Sequence, residues 1–167
     1  GANSFAGQGA AVARPADVGH MHYECELVAV IGREARRVSR AQALDHVLGY
    51  TIANDYALRD YLENFYRPNL RVKNRDGCTP IGPWLLPAEA IGDPQALRLR
   101  SWVNGELKQD GSTRDMVFGV AELIEHLSGF MTLAPGDLIL TGTPDGVVDC
   151  PVGSEVCCEI DGLGRLH

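Results

Sequence analysis

The chain has 167 residues, 45% of them hydrophobic and 22% charged, which suits one soluble globular domain with a sizeable core. A formal net charge of −7 and a pI near 5.1 argue against nucleic acid or an anionic membrane as partner. The apolar runs are too short to cross a bilayer, and the five cysteines, odd in number and without a C-x-x-C pair, fit reduced, cytoplasmic usage.

In chain order, residues 1–20 are rich in Gly and Ala and are expected to form a loop with a short extended piece at 10–13. They are read as the remnant of a longer N-terminal region. A single catalytic domain then covers 21–167 and is expected to be truncated at its C-terminal end, where Gly164 to His167 starts a new strand. The first strong element is a strand over 23–31, an apolar, β-branched run closed by Gly32. Its Glu24 and Glu26 project from one face, with Cα atoms roughly 6.5–7 Å apart. Two carboxylates pointing together from a buried strand must protonate, meet cations or hold a metal ion, unless that end of the strand lies in solvent.

Ser39 is placed to cap a helix through Ala41, Leu44 and Val47, ended by Gly49. A strand over 50–53 follows, with Asp55 at its end and helical periodicity over 56–65, up to Pro68. Residues 69–87 read as irregular. Asn104-Gly105 predicts a type I′ hairpin between strands 97–103 and 106–109. An apolar stripe of Val117, Val120, Leu123, Ile124, Leu127 and Phe130 predicts a helix over 117–131. A short buried strand at 138–140 runs into the loop from Thr141 to Gly146, and 155–160 is a weakly alternating strand. With no internal repeat, these elements predict an α+β, mostly antiparallel, sheet-rich domain.

Asp55 alone reads as a helix cap; with Glu24 and Glu26 it is a candidate third carboxylate. Three oxygen ligands without a His/Cys set suit a hard divalent ion, Mg²⁺ first, with Mn²⁺ or Ca²⁺ able to replace it. His22, on the same strand face, is a structural histidine or a partner of the glutamates. Arg67, Arg71, Lys73 and Arg75 form a basic cluster in an acidic chain, either a solvated rim or a site that captures a multiply charged carboxylate. The Gly-flanked loop with Gly142 and Thr143 is either a plain turn or a place where backbone N–H groups and a hydroxyl approach a bound carboxylate.

Taken together these segments resemble the fumarylacetoacetate hydrolase family. Tyr23 to Gly32 is similar to its Y-E-x-E-L-x-x-V-I-G element. Gly49 to Asp60 is similar to G-Y-x-x-x-N-D-x-x-x-R-D. Lys73 to Asp76 and Thr79 to Trp84 are similar to its K-x-x-D and P-I-G-P-W segments. Val103 to Glu106 and Gly136 to Gly146 complete the set. Within the family, Arg59 to Lys73 most resembles the decarboxylase/isomerase members of 4-hydroxyphenylacetate (homoprotocatechuate) breakdown. The resemblance implies the family's β-rich fold rolled around a metal site, and Glu24, Glu26 and Asp55 as metal ligands. It also implies Lys73 and Thr143 lining the substrate site, where they are the expected catalytic groups. Gly142 of the loop and Arg67 and Arg71 of the basic cluster are the further substrate contacts expected. A di- or tricarboxylate substrate, 5-oxopent-3-ene-1,2,5-tricarboxylate or 2-hydroxyhepta-2,4-dienedioate, is implied, as is a homo-oligomer. The alternatives are an acylpyruvate or fumarylpyruvate-type C–C hydrolase, or a non-catalytic subunit that binds metal and 2-oxo acid. Leu62 stands where hydrolases of the family carry Gln, which argues against hydrolysis. The His/Glu lid of some relatives is not recognisable in residues 1–20.

Overall fold

The computed structural model describes residues 1–63 and 70–167. Two sheets carry its architecture. The first holds five strands in the order β1 (Phe5–Ala6), β6 (Thr79–Pro87), β4 (Val47–Asn54), β3 (Cys25–Ile31) and β9 (Leu138–Leu140). The second runs β11 (Gly164–Leu166), β10 (Val156–Ile160), β7 (Arg98–Val103) and β8 (Glu106–Ser112). A two-stranded piece pairs β2 (Met21–His22) with β5 (Ala57–Leu58). Short helices α1 (Arg40–Ala43), α2 (Leu70–Lys73) and α3 (Ala88–Ile91), and the longer α4 (Val120–Phe130), connect and cover them.

Strand β3 lies between β4 and β9, and every one of its seven residues is buried. Its two faces do different work. Cys25, Leu27, Ala29 and Ile31 enter the main core with Tyr50 and Ile52 of β4 and with Leu99, Val103, Cys158 and Ile160 of the second sheet. Val28 and Val30 point the other way and pack with Ala53, Ile81, Leu138 and Leu140 in a smaller cluster. By strand alternation Glu24 and Glu26 fall on this second face, so the acids continue an apolar strip rather than the main core.

The hairpin forms as predicted. Asn104 and Gly105 both take positive φ, 51° and 81°, and β7 pairs antiparallel with β8. The predicted helix over 117–131 begins later, at Val120; Val117 is left exposed while Val120 and Ile124 are buried.

Four expectations are corrected. The helix from Ser39 stops after α1 and one 3-10 turn (Leu44–His46), and Val47 and Gly49 belong to β4. Gly49 ends no helix: a Cβ there would collide with the Leu86 carbonyl of the paired strand β6, so close backbone approach demands glycine. The periodicity from residue 56 gives β5 and a 3-10 turn (Arg59–Tyr61) instead of a helix, with Tyr56, Ala57 and Leu58 buried; the rest of that stretch, residues 64–69 with Arg67, lies outside the described residues. The stretch read as irregular contains α2 and the nine-residue β6. At the N-terminus it is Phe5–Ala6, not residues 10–13, that extends, pairing parallel with Thr79 and Pro80.

Candidate metal centre

The centre follows from register. Glu26 faces Ala53 across the β3–β4 ladder, and Asp55 donates its backbone N–H to the Glu24 carbonyl at 2.9 Å, one step past the strand end. Residues directly opposite in an antiparallel pair share a face. Asp55 therefore projects beside Glu24 rather than capping a helix. One ligand oxygen from each of Glu24, Glu26 and Asp55 lies within 4.8 Å of the others. On the other flank of β3, the ladder with β9 continues through Thr141, whose N–H and hydroxyl both donate to the Leu27 carbonyl (3.2 and 2.8 Å). The next residue then meets Glu26: the Gly142 N–H donates to its Oε2 at 2.7 Å.

Lys73, at the end of α2, is the cation of the cluster. Its Nζ contacts Glu24 and donates to Asp55 Oδ2 at 2.7 Å and to the Asp55 carbonyl at 3.2 Å. Thr79 Oγ1, at the start of β6, donates to Asp55 Oδ1 at 3.4 Å. His22 Nε2 stands 3.1 Å from Glu24 Oε1, with the ring buried. No hydrogen bond forms between the two, and Nε2 has no other hydrogen-bond partner among the described residues.

The carboxyls respond differently to this setting. Burial works against the charged form of Glu24, but the His22 contact and Lys73 outweigh it and hold the group below its ordinary value. Burial raises Asp55, with Lys73 offsetting only part of the rise. In Lys73 itself burial opposes the charge, yet Asp55 and Glu24 push its pKa up. Glu26, 3% exposed, is raised by burial and then by the neighbouring Asp55 to about 8. Among the described residues no cation lies within ion-pair distance of Glu26.

This donor set fits a hard divalent cation. It consists of oxygen only, is concentrated on one face, and among the described residues sets three carboxylates against one ammonium. The formal surplus of two negative charges, with the buried Glu26 facing no cation among the described residues, is what a bound 2+ ion would neutralise.

The other sequence candidates are distributed unevenly. Gly142 and Thr143 stand beside the acids, but the Thr143 hydroxyl is engaged: it donates to the Cys25 carbonyl and accepts from Gln109, both at 2.8 Å. Arg71 is not drawn in. Its guanidinium stacks over Tyr61, 4.6 Å from the ring centroid, lies 4.0 Å from Glu63, and stays exposed. It belongs with Asn74 and Arg75 to an open groove of about 390 Å³ on the surface of α2. A cavity of about 310 Å³, walled by Leu99, Met116, Phe118 and Leu123, shares residues 141–144 with the centre but none of its acids. That cavity is mostly apolar, whereas the acids bring converging polar groups together.

No role is read from the sequence for Tyr23, although it opens the Y-E-x-E element, or for Gln109. Tyr23, fully buried, donates its hydroxyl to the Gly146 carbonyl at 2.9 Å, and Gln109 reaches the same loop from β8. For Gln109 the cue was a polar residue inside a strong hairpin, which local sequence does not distinguish from a solvent-facing one.

The family model for the fumarylacetoacetate hydrolase C-terminal region matches residues 1–167. The chain belongs to the fumarylacetoacetate hydrolase family. It is 58% identical over 164 residues to the 4-hydroxyphenylacetate degradation bifunctional isomerase/decarboxylase of Salmonella dublin, covering 98% of this chain and 38% of that protein. The chain thus spans well under half the length of that relative. Among solved structures of the family, 2-hydroxyhepta-2,4-diene-1,7-dioate isomerase from Mycobacterium marinum superposes with a TM-score of 0.92 at 42% identity, covering 98% of this chain and 64% of that one. Fumarylpyruvate hydrolase from Pseudomonas aeruginosa, in complex with Mn²⁺ and pyruvate, superposes with a TM-score of 0.91 at 37% identity, covering 99% and 73%. The fold is the family's: a mixed sheet curled into a half-barrel, with helices. No helix among the described residues is long and apolar enough to cross a membrane.

Proposed function

We propose that this chain forms the metal-dependent catalytic centre of a decarboxylase/isomerase acting on 5-oxopent-3-ene-1,2,5-tricarboxylate and 2-hydroxyhepta-2,4-dienedioate, with Glu24, Glu26 and Asp55 as ligands. The observation that carries it is the convergence of three carboxylates and Lys73 on one face, in a chain 58% identical to an isomerase/decarboxylase of that catabolism. Mg²⁺ is the ion proposed, with Mn²⁺, present in a solved relative, or Ca²⁺ as substitutes. The bound ion would supply a Lewis-acid partner for the keto-acid end of the substrate.

The chain's own groups do the rest. In decarboxylation the bond to the departing carboxylate breaks, and its electron pair moves through the conjugated enone toward the keto oxygen. Uptake of a proton there gives 2-hydroxyhepta-2,4-dienedioate and CO₂. Isomerisation moves a proton from that hydroxyl to carbon, giving 2-oxohept-3-enedioate. Lys73, fixed by Glu24 and Asp55, presents a positive charge where negative charge develops. Gly142 holds Glu26 in place, and the Thr143 hydroxyl, its proton committed to Cys25, keeps one lone pair to accept from a substrate hydroxyl. Arg67 and Arg71 remain the proposed contacts for remote carboxylates, Arg71 only after leaving its stack on Tyr61.

Leu62 favours this chemistry over C–C hydrolysis. It closes the 3-10 turn and, being apolar, brings no polar side chain to orient an attacking water. A homo-oligomer working in the cytoplasm completes the proposal. The test is direct: purified protein with Mg²⁺ should release CO₂ from the tricarboxylate, lose this activity in EDTA and lose it in Glu26→Gln. Cleavage of acylpyruvates without CO₂ release would instead establish the hydrolase, and metal and oxalate binding without turnover the non-catalytic subunit.

A further inference from the structure

The loop that reaches Glu26 is seated by one side chain of the other sheet. Gln109 on β8 is fully buried and uses all four of its hydrogen-bonding positions. Its Nε2 donates to Thr143 Oγ1 at 2.8 Å and to the Pro144 carbonyl at 2.7 Å. Its Oε1 accepts from Ser101 Oγ at 2.8 Å and from the Cys25 N–H at 3.4 Å. The amide has one possible orientation: reversed, its NH₂ would face the Cys25 N–H and its oxygen the Pro144 carbonyl. Cys25 lies between Glu24 and Glu26, and Thr143 follows Gly142, the donor to Glu26. One carboxamide therefore ties β3, β8 and the loop into a single unit. The neighbouring backbone of β8 has the same purpose. A Cβ on Gly146 would strike the Lys108 carbonyl, and one on Gly111 would meet Pro144 Cβ at 2.6 Å.

We propose that Gln109 is a positioning residue: it fixes the height of residues 141–146 against β3 and so aims the Gly142 N–H at Glu26 Oε2. The inference rests on the metal-centre reading for its consequence, but not for its geometry. A carboxamide is required because the seat needs donors toward the loop and acceptors toward β3 and β7 from one side chain. Met has the length without either, and Glu keeps the acceptors while losing the donors.

The experiment compares wild type with Gln109→Met, Gln109→Glu and Ser101→Ala by two readouts at a temperature where each is folded by circular dichroism. The first is amide hydrogen exchange of residues 141–146 in metal-free protein. The second is Mn²⁺ affinity by titration. Gln109→Met should speed exchange in this loop while leaving α4 protected. It should weaken Mn²⁺ binding by about 10–100-fold, the usual cost of removing a group that orients a ligand. Ser101→Ala, which keeps both loop bonds, should change neither. If Gln109→Met does not fold, Gln109→Glu decides, since it preserves shape and should still release the loop. Unchanged loop exchange in a folded Gln109 variant overturns the proposal; so does released exchange with unchanged Mn²⁺ affinity. Absence of Mn²⁺ binding by wild type would overturn the metal reading, and loop exchange would still decide the seat.

Discussion

Two groups of three acids sit in this molecule and are treated in opposite ways. On the second sheet, Asp110, Glu159 and Asp161 meet three arginines. Arg98 pairs with Asp110 at 2.6 Å, Arg100 with Glu159 and Asp161 at 2.5 Å each, and Arg165 with Glu159. At the start of β3, among the described residues, Glu24, Glu26 and Asp55 have one lysine between them, and it touches two. The first cluster is closed by its own cations. The second carries a charge surplus in a mostly buried place, an arrangement a protein sustains when something else supplies the balance. Function is thus read from unmatched charge rather than from acid count.

The largest effect that could break this contrast is at Glu26. Glu26→Gln should weaken Mn²⁺ binding by at least about 100-fold, since it removes a ligand and not merely a group that orients one. The metal-free variant should melt no lower than wild type, because a buried acid that meets no cation among the described residues is replaced by a neutral isostere whose amide oxygen can still accept from Gly142. Isothermal titration and thermal melts in EDTA check both halves. Next is Lys73→Met, which strands Glu24 and Asp55 without their cation. Metal-free protein should lose roughly 3 kcal/mol, and excess Mn²⁺ should return most of it. Equal destabilisation with and without metal would show that the centre holds none.

On the other cluster Glu159→Gln should leave Mn²⁺ affinity untouched and cost less than Lys73→Met, because Arg100 keeps Asp161 as a partner. The smallest effect concerns pH. The hydrogen bond and charge of Arg98 hold Asp110 below its ordinary carboxylate value. That pairing is complete above the unfolded value and is lost as pH falls through the lowered folded one. Arg98→Ala should therefore reduce stability slightly at neutral pH and not at all in strong acid, as chemical denaturation across pH 2–7 would reveal.

Much of the centre was legible because strand alternation is a strict rule: Glu24 and Glu26 had to share a face once 23–31 was a strand. The Asn-Gly hairpin was equally plain. Asp55 was visible only as a residue with two roles, since its place opposite Glu24 depends on the β3–β4 register, which local sequence does not state. Strand β6 was hidden by Pro80, Pro83 and Pro87, which break local strand patterns although the β4 ladder accommodates them. The helix expected after Asp55 failed because Tyr56, Ala57 and Leu58 are all buried, leaving no polar face for a surface helix. Arg71 and Lys73 looked alike in sequence. A two-residue offset on α2 sends one to Tyr61 and the other to the acids.

Anomalous diffraction from crystals grown with Mn²⁺ and oxalate bears most directly on the central claim. An anomalous peak should appear within about 2.0–2.4 Å of carboxylate oxygens from Glu24, Glu26 and Asp55 together, the range for hard divalent ions. A manganese peak elsewhere, or one that leaves Glu26 unligated, would contradict the account.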